Sequence, residues 1–199
     1  MQAMKFVLCI NHPRGNQLRM IRQIKWEKLD TRWVKLNMDR SSSDPMNMAG
    51  GGGLIRDDQG NWIAGFLRNI GKANSFTAKI WVLWDGLLLC HQINLPTVIV
   101  ELDAKALVDA LSNPAYANSI ISPLFDDCRQ LVTRIPQCHI RHIFWEANKC
   151  VGRLARLGHL QSLDFVLYPS LLVNLLPFVE ADSRGLYSNR MCPAHSLAF

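Results

Sequence analysis

The chain has 199 residues, 49% hydrophobic and 19% charged, a balance that suits a globular domain with a buried core and excludes a disordered chain. Lysine and arginine outnumber aspartate and glutamate by 22 to 16, a formal charge of +6, which leaves a polyanionic partner open without requiring one. The six cysteines (Cys9, Cys90, Cys128, Cys138, Cys150 and Cys192) lack CxxC spacing, and no run approaches the roughly 20 apolar residues that span a bilayer. Reduced thiols are therefore expected, in a soluble intracellular protein, assumed monomeric, without a membrane anchor or a small-molecule cofactor.

Residues 1–30 carry Lys5, Arg14, Arg19, Arg22, Lys25 and Lys28 against Glu27 and Asp30, and read as a basic leader or linker. From Trp33 to Asp39 two kinds of residue alternate, which predicts a strand with unlike faces, closed by Asp39. Three serines, Pro45 and the run Gly50–Gly53 follow, a turn leading into a strand against whose bare backbone something packs. Gly51–Arg56 and Trp62–Arg68 flank a polar turn and predict a hairpin. The spacing of Ile80, Leu83, Trp84, Leu87 and Leu88 predicts a buried helix over Phe76–Gln92, with Ser75 as its N-cap.

Thr97–Leu102 is a β-branched run suited to an interior strand, and Asp103 follows directly. Residues 103–112 and about 120–134 read as two helices separated by Asn113-Pro114, Cys138–Phe144 as a last strand, and Glu146–Leu157 as a helix ending before Gly158. This order implies a mixed sheet with helices on its faces. Residues 161–199 contain apolar positions but no recognisable site and are read as a C-terminal tail.

Five segments, Trp33-Val-Lys-Leu-Asn-Met-Asp39, Gly51-Gly-Gly-Leu-Ile-Arg-Asp57, Thr77-Ala-Lys-Ile80 with Asp85-Gly-Leu87, Val100-Glu-Leu-Asp103, and Glu146-Ala-Asn148 with Leu154-Ala-Arg156, occur in one order and spacing. Over residues 31–160 they resemble the retroelement-derived, reverse-transcriptase-associated ribonuclease H type-1 family of plants. The resemblance implies an α/β domain with a five-stranded mixed sheet, three antiparallel strands followed by two parallel ones, and helices on both faces. It also implies cleavage of the RNA strand of an RNA–DNA hybrid by two magnesium ions, held by four carboxylates that clamp the attacking water and the leaving oxygen.

Carried over, the first family carboxylate falls on Asp39 and the third on Asp103, the expected metal ligands. The second position is Lys79, the fourth is Gly152, and Arg40 stands where the family has a small glycine. The family's proton-transfer histidine falls on His142, ten residues before the fourth carboxylate position. Four carboxylates would carry four negative charges, whereas Asp39, Asp103 and Lys79 together carry a net of one. At about 4 Å and an effective dielectric near 20, each ammonium–cation charge product repels by roughly 4 kcal/mol, and a divalent ion doubles it. Lys79 is therefore expected to pair with Asp39 or Asp103 in the space of a metal.

Three functions follow from different premises. One is a nucleic-acid-binding module, impaired in cleavage, that uses polar contacts from Ser41, Ser42, Ser43 and Asn148 to the hybrid backbone. Another is an active hybrid ribonuclease, in which Glu101, Asp85 or Asp109 replaces a missing ligand. The last is a retroelement relic without function. Trp62, Trp81, Trp84 and Trp145 are expected in the core rather than against bases.

Overall fold

Residues 6–8, 19–43, 48–113, 116 and 122–193 are described by the structure, a computed structural model. Their strands are β1 (Phe6–Leu8), β2 (Arg19–Ile24), β3 (Val34–Ser43), β4 (Met48–Arg56), β5 (Trp62–Lys72), β6 (Thr97–Leu102), β7 (Gln137–His142), β8 (Phe165–Tyr168) and β9 (Ser188–Pro193). The α-helices are α1 (Ser75–Gln92), α2 (Lys105–Ser112), α3 (Ser122–Arg134), α4 (Lys149–Gly158) and α5 (Leu176–Ser183). Lys5 and Arg14 of the leader, Cys9, Pro45 and Pro114 lie outside the described residues.

The alternation that begins at Trp33 runs on past Asp39, because Arg40, Ser41 and Ser42 continue to pair with Gly51, Gly50 and Ala49 of β4. Asp39 instead marks where the parallel partner stops: Met38 lies opposite Leu102, and Asp103 follows at once. Two carboxylates thus emerge at the same edge of one parallel strand pair. The main sheet has the order β7-β6-β3-β4-β5-β8, antiparallel from β3 to β8 and parallel from β3 to β7.

It has six strands, not the five expected. The sixth, β8, is four apolar residues followed by Pro169, too short for a period to reveal it, and it pairs antiparallel with β5 from Gly65 to Arg68. Helices cover both faces. Leu36 and Met38 of β3 join Ile80, Leu83 and Leu87 of α1 and Phe125 of α3 in one core; Leu54 and Leu67 join Leu154 of α4 and Val179 of α5 in the other.

The glycine run of β4 lets α4 lie against the sheet. A Cβ on Gly50 would overlap the backbone of His159, and one on Gly52 would sit 3.1 Å from the Ala155 nitrogen. This close approach brings the start of α4 over β3. The helix α1 begins one residue earlier than expected in capping terms: the Asn74 side chain, not Ser75, accepts from the Thr77 amide at 2.8 Å.

Residues outside 31–160 also take part. β2 pairs antiparallel with β9 along its whole length, in a small sheet with β1. Trp26 is buried, with its ring centre 4.3 Å from the Lys35 ammonium and 4.2 Å from the Arg56 guanidinium. Arg56 is itself paired to Asp182 of α5 at 2.7 Å and donates to Asn37 Oδ1 at 3.1 Å. Buried Lys35 donates to the Glu27 carbonyl and lies 3.0 Å from Glu101. No α-helix among the described residues is long and apolar enough to cross a membrane.

Candidate nucleic-acid interface

The edge where β3 and β6 part company opens into a cleft of about 510 Å³, walled by Asp39, Arg40, Ser41 and Ser42 of β3, by Lys79 of α1, by Asp103, and by the exposed face of α4. Phe178 of α5 and Trp145 complete its rim. Lys79 donates to Asp103 Oδ1, and its ammonium lies 3.9 Å from Asp39 Oδ1. All three side chains keep 20% or less of their surface exposed. The expected pairing is therefore formed with both carboxylates, closely with Asp103 and at longer range with Asp39.

Asp39 remains strained electrostatically in spite of this. Burial raises its pKa to about 6, repulsion from Asp103 adds to the rise, and Lys79 with the Arg40 amide, 2.7 Å from Oδ1, offsets only part of it. Gly152 faces it from α4: a Cβ there would stand 3.2 Å from Asp39 Oδ2. The position that lacks a fourth carboxylate is thus next to the first.

These residues do not fit a pair of divalent cations. An ammonium fills the place between the two aspartates, Gly152 contributes no oxygen, and no group of three or more acidic, histidine or cysteine side chains is placed to hold a metal among the described residues. The three acids considered as substitutes are engaged elsewhere. Asp85 is buried against Arg68, Glu101 is held by Lys35, Asn37 and Arg141, and Asp109 pairs with Lys105.

Other expected residues fall differently. Ser41 and Ser42 line the cleft, and Ser42 Oγ accepts from the Arg40 guanidinium at 3.0 Å; the Ser43 side chain lies outside the described residues. Asn148, expected to contact a ligand, also lines the cleft; it is largely buried there and donates to the Met38 carbonyl at 2.9 Å, so its amide ties α4 to β3. The described residues that line the cleft do not include His142, whose ring meets the edge of Phe144 at 5.4 Å. Burial, with Lys105 and Arg190 nearby, lowers its pKa against the opposing pull of Asp103 and Asp109.

Sequence reasoning missed the cations of α4. Lys149, Arg153 and Arg156 line the cleft with Arg40 and Lys79, five cationic side chains against two carboxylates. Their signal was available: Lys149, Gly152, Arg153 and Arg156 have the spacing i, i+3, i+4, i+7 of a single helix face. Two tryptophans also depart from expectation. Trp62 and Trp84 are half-buried, but Trp81 is 37% exposed and Trp145 56% exposed.

The model of the family described as reverse transcriptase-like matches residues 37–158. An Arabidopsis thaliana protein named "Putative ribonuclease H protein" is 31% identical over 163 residues, 80% of this chain but 26% of the relative, so the chain spans about a quarter of that protein's length. Among solved structures, the N-terminal ribonuclease H domain of a Mycobacterium tuberculosis protein superposes with a TM-score of 0.59 at 20% identity, over 64% of this chain and 93% of that one. The ribonuclease H1 of Halobacterium salinarum gives 0.58 at 19% identity, over 63% and 96%. A compost-derived ribonuclease H1, LC11, solved with an RNA/DNA hybrid, gives 0.56 at 18% identity, over 63% and 95%. At these identities the likeness is one of fold.

Proposed function

Because the chain belongs to the reverse transcriptase-like family and carries the ribonuclease H fold, we propose that it binds nucleic acid, RNA–DNA hybrid foremost, through this cleft and does not cleave it by the family's two-metal route. The observation that carries this reading is the Lys79 ammonium, hydrogen-bonded to Asp103 and 3.9 Å from Asp39. A fixed positive charge there offsets one of the two carboxylate charges and stands where a divalent ion would have to sit. It offers no open coordination position for an attacking water.

With five cations against two carboxylates, the cleft attracts a phosphodiester backbone directly. Hybrid binding is supported at the level of fold, since the LC11 ribonuclease H1 holds an RNA/DNA hybrid. Titrating a labelled hybrid in magnesium and in EDTA at several salt concentrations tests the proposal. Equal affinity in both media is expected, with log K falling against log salt at about −0.9 per phosphate engaged. Binding that needs magnesium would contradict it, and the absence of any salt slope would favour an inert relic.

A further inference from the structure

Trp145 is the most exposed tryptophan of the cleft region, and everything around it is fastened. Phe144, before it, lies under two guanidiniums, Arg190 at 4.4 Å and Arg22 at 5.3 Å from the ring centre. Glu146, after it, is buried and receives Arg190 Nη1 on both oxygens, at 3.1 and 3.0 Å. Asn148 is tied to Met38, and the turn is closed by Ala147 N to Phe144 O and Asn148 N to Trp145 O, both 2.9 Å.

A large apolar ring left 56% exposed by such anchors forgoes much of what burial would gain. The Lys149 ammonium lies 5.7 Å from its ring centre and is itself held by Ser188 Oγ at 2.7 Å. Trp145 also lines the cleft that holds Arg153 and Arg156. A π-face beside fixed cations is the arrangement that receives a base together with its flanking phosphate, since every base has a face to stack and every link a charge to neutralise.

Resting on the reading that the cleft binds nucleic acid, we infer that Trp145 stacks one unpaired base, so that the preferred ligand is a hybrid with a single-stranded extension. In a continuous duplex both faces of each internal base are already stacked. An unpaired nucleotide at the junction supplies a free face. The small sheet of β2 and β9 then has a function: through Arg22, Arg190 and Ser188 it holds the stacking residue in place.

The test compares a blunt hybrid, the same hybrid with an overhang of about four nucleotides on each strand and end in turn, and the same overhangs made abasic, by fluorescence anisotropy on the full chain. At least one base-bearing overhang should tighten binding by roughly 5- to 150-fold, the range expected for one stacked base. The abasic form should lose that gain. Trp145→Ala should abolish the difference between overhung and blunt hybrids, and Trp145→Phe should restore part of that difference. Equal affinity for blunt and overhung hybrids, an abasic overhang as good as a base-bearing one, or a gain that survives Trp145→Ala would overturn the inference and leave the cleft's phosphate binding intact. If no hybrid binds at all, both readings fall.

Discussion

Asp39 holds its proton up to about pH 6 because burial and the nearby Asp103 outweigh what Lys79 and the Arg40 amide return. In the unfolded chain an aspartate titrates near 3.9. Between about pH 4 and 6 the folded state therefore binds more protons than the unfolded one, and stability falls as pH rises through that window. Above it, the ionised carboxylate costs the fold roughly 1–3 kcal/mol. Asp39→Asn should restore about that amount at neutral pH and flatten the dependence across the window, as read by urea unfolding. A variant with an unchanged slope would place the titration on another group.

At the scale of elements, the position of α4 governs the site, because that helix brings Gly152 and the three cations over β3. The bare backbone of β4 permits it. Gly50→Ala would force a Cβ into the His159 backbone, and should cost about 2 kcal/mol or more while weakening hybrid binding through displacement of Arg153 and Arg156. Unfolding and binding measured on the same variant check both effects; a neutral substitution would mean that α4 is not held by this contact. The glycine run announced a packed backbone in sequence, whereas Asp39, Lys79, Asp103 and Gly152 were singled out only by the family resemblance, which aligns motifs and not surfaces; the structure sets Lys79 between the two aspartates and Gly152 beside Asp39. What covers β4 was not legible, nor were the burial of Asn148 and the exposure of Trp145. Those depend on which surface meets which across the fold, and a period of 2 or 3.6 reports only which side of an element a residue occupies.

For the whole molecule, the described segments flanking residues 31–160 are built into the fold. β2 and β9 pair across almost the full length of the chain, a contact with no local signature, and β8 completes the sheet. Trp26 and Asp182 meet over Arg56, from opposite sides of the domain in sequence. Residues 31–160 alone would strip Arg56 of its carboxylate and of the ring that covers it. Such a fragment should be far less stable than the full chain, and Asp182→Ala alone should cost about 3–5 kcal/mol by chemical unfolding. A fragment as stable as the whole chain would confine the fold to its central segment. The central claim concerns the Lys79 ammonium between Asp39 and Asp103, and cleavage of a labelled RNA–DNA hybrid in magnesium and in manganese tests it most directly. The chain as it stands should not cut, whereas Lys79→Glu combined with Gly152→Asp, which returns four carboxylates to one edge, should. Cleavage by the unaltered chain, abolished by Asp39→Asn, would contradict the account and make this a working ribonuclease H.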